Sequence, residues 1–219
     1  MPKIKIVPAI LSAPEEKLKK FFEDIEGKAD MLQVDVMDNR FVPNITPQAE
    51  LLKRISTNIP LDIHLMVQEP SKEYIVGFIS ANPNLKINNI TVHIEACKDI
   101  NRQIGFIKSM NIKAGIAINP KTGLETIKKI LDKADMVLCM TVEPGFSGQK
   151  FIMGVMPKIK ELRKLKPELD IEVDGGINHE TAKIAADAGA NVFVANSYIF
   201  NAGDRAAAIK RLKQAASEK

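Results

Sequence analysis

The sequence predicts a single-domain (β/α)8 barrel spanning residues 1–219, and three observations lead there. Short apolar, β-branched runs alternate with longer Lys/Glu-rich amphipathic ones from end to end. The apolar runs number eight and begin 21 to 35 residues apart, the length of a strand plus one returning helix. No linker, low-complexity tract or composition break divides the chain. Right-handed crossovers make such a sheet parallel. Eight units in 219 residues then suit a closed barrel better than an open doubly wound sheet.

Taken in order, a strand at 6–11 (IVPAIL) leads into a helix at 14–26, and MLQVDVM at 31–37 into a helix at 47–56 with Pro47 in its first turn. LDIHLMV at 61–67 precedes a helix at 70–81 with Ser71 as its cap, and NITVHIE at 89–95 precedes one at 98–109. KAGIAIN at 113–119 is followed by a helix at 121–132, and DMVLCMTV at 135–142 by one at 154–166. DIEVDGG at 170–176 leads to a helix at 178–188 capped by Asn178, and NVFVANS at 191–197 to a last helix at 204–217.

Composition narrows the partners. Hydrophobic residues at 45% and charged residues at 26% allow a sizeable core without disulfides or structural metal. Lys and Arg number 31 against 27 Asp and Glu, and this balance of +4 is too small and interspersed for a nucleic-acid footprint. It accommodates a phosphorylated small molecule. Cys97 and Cys139 form no CxxC pair, metal knuckle or disulfide framework, which suits a reducing compartment. The N-terminus lacks a signal-peptide pattern and no apolar run approaches a membrane span, so a cytoplasmic protein without membrane or nucleic-acid partners is expected. Nine Met against no Trp and two Tyr is the one oddity.

A parallel barrel buries each strand on both faces, so an ionisable residue inside a strand needs a partner or a function. Gln33, Asp35 and Met37 share one face of the second strand, and Asp62, His64 and Met66 share one face of the third. His93 and Glu95 follow on the fourth, and Glu172 and Asp174 on the seventh. Asp62, His93, Glu95 and Glu172, taken singly, read as hydrogen-bonded barrel filling. Asp35, His64 and Asp174 together, converging from three strands at the C-terminal end, read as a site. Two carboxylates and an imidazole suit Zn²⁺, Fe²⁺ or Mn²⁺ without choosing among them. Gly-rich loops follow the last strands: Pro144 to Gln149, Asp174-Gly175-Gly176, and Asn196-Ser197. Their backbone N–H groups are placed for an anion, at the usual phosphate position of such barrels. Neither a P-loop nor GxGxxG is present, so nucleoside triphosphates and dinucleotides lack support.

The segments Pro8-Ala9-Ile10-Leu11-Ser12, VDVMDNRFVPN (34–44), LDIHLMV (61–67), TVHIEAC (91–97), MTVEPGFSGQKFI (140–152), IEVDGGIN (171–178) and VFVANSYIF (192–200) together resemble the ribulose-phosphate 3-epimerase family, in order and spacing, over essentially the whole chain. The resemblance implies interconversion of D-ribulose 5-phosphate and D-xylulose 5-phosphate in a homo-oligomer. It implies Asp35 and Asp174 as the acid/base pair, and one divalent metal on Asp35, His64 and Asp174. It also implies substrate contacts from Ser12 and His64, and a wall of Met37, Met66 and Met140. Phosphate would be held by Gly145, Phe146, Ser147, Gly148, Gly175, Gly176, Asn196 and Ser197. Inverting a carbon beside a ketone calls for two carboxyl groups on opposite walls, which agrees with the pair.

Three departures stand out. Gln33 occupies the position of a His that is the family's fourth metal ligand, so a three-ligand site of lowered affinity, or a rearranged or empty one, is expected. Asn196 stands where Gly is usual, with a tolerance for left-handed backbone but a side chain that narrows the phosphate pocket. Glu143 brings a negative charge near the same rim. These leave open a six-carbon ketose phosphate as substrate, or a non-catalytic sugar-phosphate binder. An aldolase or decarboxylase of the same barrel type would need a positioned Lys inside a strand, and the predicted strands hold no Lys at an internal position.

Overall fold

The computed structural model describes residues 2–10, 15–46 and 48–218. Eight parallel strands close in sequence order: β1 (Lys5–Ile10), β2 (Leu32–Met37), β3 (Leu61–Met66), β4 (Ile87–His93), β5 (Lys113–Ile118), β6 (Met136–Met140), β7 (Asp170–Asp174) and β8 (Val192–Ala195). Helices α1 (Glu15–Ile25), α2 (Gln48–Arg54), α3 (Lys72–Ala81), α4 (Ile100–Ser109), α5 (Met156–Leu165), α6 (His179–Ala188), α7 (Ser197–Phe200) and α8 (Arg205–Ser217) pack outside. Ser12 and Pro47 lie outside the described residues.

Alternation along each strand divides the apolar residues. Ile6, Val34, Ile63, Val92, Ile116 and Val173 point outward into one core shared with Phe21, Phe78, Ile104 and Leu212 of the helices. Val7, Ala9, Val192 and Val194 form a separate cluster inside the barrel, and Ala117, Leu138 and Met140 another. The interior therefore holds small and branched side chains plus the polar set, while the helices cover the outside.

Register then delivers the polar residues in rows. β2 and β3 pair without a shift, setting Gln33 beside Asp62, Asp35 beside His64 and Met37 beside Met66. On the other side Met140 of β6 and Val194 of β8 flank Asp174 of β7.

The caps expected at Ser71 and Asn178 are present: Ser71 accepts from Tyr74 N–H, and Asn178 forms a reciprocal capping box with Thr181. The helix expected at 121–132 is not α-helical. Residues Leu124–Thr126 and Leu131–Lys133 form 3₁₀ turns, and the buried side chains Leu124, Ile127 and Ile130 recur every three residues, the 3₁₀ period. Strand four ends at His93, so Glu95 falls in the 3₁₀ turn Ile94–Ala96. Strand eight ends at Ala195, and residues expected to prolong it open α7 instead.

One side chain gathers the end of the barrel opposite the site. Arg163 of α5 donates to the carbonyls of Gly189 (2.8 Å), Lys166 (3.2 Å), Pro167 (2.8 Å) and Leu169 (2.7 Å), and to Asn191 Oδ1 (2.8 Å). A lysine ammonium cannot span that fork. Arg163→Lys is expected to lower stability by about 2–4 kcal/mol in urea unfolding, the loss of several charge-assisted hydrogen bonds.

Candidate active site

The open C-terminal end of the barrel holds a cavity of about 590 Å³. Asp35, Met37, Met66, Met140 and Asp174 form its floor, and Gly145 to Gly148, Gly175, Gly176, Asn196 and Ser197 its rim. The structure thus brings these sequence-predicted residues to one cavity. His64 does not line the cavity and is fully buried behind the aspartates.

Four polar groups converge beneath the floor. Gln33 Nε2 donates to Asp35 Oδ1 (2.8 Å) and to Asp174 Oδ2 (3.0 Å). His64 Nδ1 lies 3.0 Å from Asp35 Oδ1 and 3.7 Å from Asp174 Oδ2. Asp35, His64 and Asp174 each direct one ligand atom to a common region, all within 4.8 Å of one another. Burial, then the Asp35 carboxylate, pushes the Asp174 carboxyl up to about 7. Burial opposes charge on His64, but Asp35, Asp174 and Asp62 outweigh it and raise its pKa.

A hydrogen-bond chain fixes which His64 nitrogen faces the aspartates. Glu95 Oε1 accepts from Asn119 N–H (2.7 Å) and from the Thr122 hydroxyl, while Oε2 faces His93 Nδ1 at 3.3 Å. Burial tends to raise the Glu95 pKa, but the bonds from His93, Thr122 and Asn119 outweigh it and keep the carboxylate ionised. His93, pushed down to about 4 by burial, is neutral and donates from Nδ1 to Glu95. Its Nε2 lone pair accepts from His64 Nε2–H at 2.9 Å. His64 therefore turns Nδ1 toward two carboxyl groups, a position suited to a proton or a metal ion. Nδ1 of His64 and the two carboxyl groups, with ligand atoms within 4.8 Å of one another, fit a divalent cation held by Asp35, His64 and Asp174.

One row deeper, Asp62 and Glu172 are fully buried, and burial raises the pKa of both. Asn89 donates to Asp62 Oδ1, and burial followed by the neighbouring Asp62 holds Glu172 protonated. Neither lines the cavity, so both are barrel filling, as their isolated reading suggested.

Two threonines that sequence reasoning missed hold the aspartates' backbone. The Thr46 hydroxyl donates to Asp35 O and accepts from Met37 N–H, each at 3.0 Å. The Thr141 hydroxyl donates to Asp174 O (2.9 Å) and Gly175 O (2.7 Å). Thr46 lies in an irregular segment with no pattern to announce it, whereas Thr141 directly follows the β6 run.

The rim is built from backbone. Gly175 and Gly176 adopt φ of 118° and 67°, and a Cβ there would lie 2.4 Å from Val142 Cγ2 and 2.7 Å from Phe151 N. Asn196 adopts φ −92°, so its left-handed tolerance is not used, and its side chain makes no cap bond. Glu143 is outside the lining and pairs with Lys121 at 3.3 Å, while Lys150 lines the cavity. Asn44 Nδ2 donates to Gly145 O at 2.8 Å, tying the loop after β2 to the loop after β6.

Fold and site together define a (β/α)8 barrel with two carboxyl groups and a glycine-rich rim around a cavity at the C-terminal end of its strands. The chain belongs to the ribulose-phosphate 3-epimerase family, whose profile matches residues 5–200. It is an enzyme of the isomerase class acting on carbohydrates. It is 44% identical over 218 residues to the ribulose-phosphate 3-epimerase of Bacillus subtilis, covering 96% of this chain and 98% of that protein. It is 42% identical to that of Methanocaldococcus jannaschii (98% and 92% covered) and 43% to the chloroplast enzyme of Arabidopsis thaliana (96% and 76%). Among solved structures, 3-hexulose-6-phosphate synthase from Salmonella typhimurium shares the fold at a TM-score of 0.72 and 18% identity, with 97% and 98% covered.

The raised pKa of Asp174 has a sign that can be measured. The metal-free fold keeps a proton that an unfolded Asp, near 3.8, gives up, so stability falls as pH rises from about 4 to about 7. Asp174→Asn cannot ionise and is expected to flatten that decline in urea midpoints taken with chelator present. An unchanged slope contradicts the assignment.

Proposed function

We propose that the chain interconverts D-ribulose 5-phosphate and D-xylulose 5-phosphate by proton transfer at C3 between Asp35 and Asp174. The carrying observation is that both carboxyl groups reach one cavity yet are tied on one oxygen only, Asp35 through Oδ1 and Asp174 through Oδ2. The other oxygen of each has no hydrogen bond among the described residues.

Asp35 takes the C3 proton, the electron pair moves toward the C2 carbonyl to give a 2,3-enediolate, and Asp174 delivers its proton to the opposite face. In the reverse direction the roles exchange. In the metal-free site burial, then the Asp35 carboxylate, raises the Asp174 pKa to about 7, which suits it to holding the proton it delivers. Met37, Met66 and Met140 supply a polarizable wall without a proton to misplace. Backbone N–H groups of Gly145 to Gly148, Gly175, Gly176, Asn196 and Ser197 surround the phosphate, including those in the first turn of α7 that lack helix partners. Asp35, His64 and Asp174 would hold the divalent cation, Zn²⁺, Fe²⁺ or Mn²⁺, whose positive charge stabilises developing negative charge on the substrate oxygens. His93 and Glu95 orient His64, and Ser12 is the remaining substrate contact the family resemblance suggests. The enzyme is cytoplasmic in this reading.

Incubation with ribulose 5-phosphate in deuterated water, with metal supplied, is expected to give xylulose 5-phosphate carrying deuterium at C3. Absence of both products overturns the reading. A six-carbon ketose phosphate run in parallel tests the substrate class. Asp35→Asn and Asp174→Asn are each expected to reduce exchange by about 10²-fold or more with the fold intact by circular dichroism.

A further inference from the structure

Gln33 is fully buried, and its amide is half satisfied in an instructive way. Nε2 makes two hydrogen bonds, to the carboxyl groups of Asp35 and Asp174, while Oε1 is buried without any partner. The reverse orientation would set Oε1 against two carboxyl groups with at most one proton to offer it, whereas the nitrogen donates to both, so without a cation the amide presents its nitrogen. With a cation among Asp35, His64 and Asp174, the same place calls for a lone pair. Turning the amide about its last bond supplies one. Oε1 gives up no hydrogen bond in turning, because it has none, and the two bonds lost from Nε2 are those a cation on the carboxylates replaces.

We propose that Gln33 is a turnover ligand. Its NH2 group bridges Asp35 and Asp174 when the site holds no metal, and its carbonyl oxygen becomes the fourth protein donor when a divalent metal binds. The donor set is then three oxygens and one imidazole nitrogen, which favours Mn²⁺ relative to Zn²⁺ more than a site with two imidazoles would. The NH2 group ends where Oε1 found no partner, so affinity is lower than a preset ligand would give. The inference rests on the assignment of Asp35, His64 and Asp174 as cation ligands.

The test is direct titration of chelator-treated protein with Mn²⁺ and Zn²⁺ alone, without substrate, for the wild type, Gln33→Leu and Gln33→His. If Gln33 ligates, Gln33→Leu weakens Mn²⁺ binding by about tenfold or more, and Gln33→His tightens Zn²⁺ more than Mn²⁺. If Gln33 only bridges the carboxyl groups and competes with the metal, Gln33→Leu binds more tightly, and the proposal fails. It also fails if the wild type binds neither ion. Selective ¹⁵N labelling of glutamine gives a second readout on the unmutated protein. The Gln33 NH2 protons are expected to be protected from exchange without metal and to lose their hydrogen-bonded shifts at saturating Zn²⁺; unchanged resonances overturn the proposal. Pulsed electron resonance of the Mn²⁺ form should show one imidazole nitrogen in the wild type and two in Gln33→His. The deuterium assay is run separately. Gln33-dependent metal binding without C3 exchange would overturn the epimerase reading alone, whereas exchange with unchanged Gln33 resonances would overturn this proposal alone.

Discussion

Every feature of the site depends on burying two carboxyl groups side by side inside a closed barrel. Neither face of a strand there reaches bulk water, so a pair of carboxylates needs positive charge or donors at short range. The chain meets this constraint twice, in adjacent rows. Asp62 and Glu172 meet it with a Glu172 carboxyl whose pKa burial raises well above the usual range and with the Asn89 amide. Asp35 and Asp174 meet it with the Gln33 amide and the edge of His64. The deeper row is sealed and therefore static. The upper row borders the cavity, so the same chemistry becomes available to a ligand.

The direction of the histidine chain follows from a group well away from the substrate. Glu95 is held ionised by a backbone N–H and a hydroxyl, and that choice passes through His93 to decide which nitrogen of His64 carries hydrogen. The 3₁₀ turn at Ile94–Ala96 matters for this reason: it lets Glu95 leave the strand and turn back to His93 Nδ1. A continuous strand would have sent successive side chains to opposite faces and kept His93 and Glu95 side by side on one.

The fold was legible because its signal is repetitive: eight apolar runs at helix-plus-strand intervals admit few topologies. The site's floor was legible for a related reason, since alternation along a strand assigns Asp35, Met37 and Met66 to an inner face before any contact is known. What escaped was set by tertiary packing. The segment 121–132 carries Lys/Glu-rich helical composition, yet its buried residues fall at a three-residue spacing that packs as 3₁₀ turns. Thr46 and Thr141 act through single hydroxyls on backbone carbonyls, which leaves no periodic trace. His64 was recognised as part of the site but its depth was not, because a residue's height along a strand says nothing of what lies above it.

The two ends of the cavity differ in how their order is supplied, and that difference orients a substrate. The floor is made of strand residues whose carboxyl groups are fixed by buried donors and which offer a ligand no backbone N–H. The rim is made of glycine-rich loops and the start of α7, where the donors are neutral N–H groups joined by one lining cation, Lys150. A net charge of only +4 is then sufficient for the chain, since the anion is met by local dipoles instead of a basic surface. In the proposed reaction a phosphorylated ketose enters with its phosphate at the rim and its carbonyl carbons over Met37, Met66 and Met140. Under the proposed function, the N–H donors of the rim take the phosphate, and that placement leaves C3 over the two aspartates.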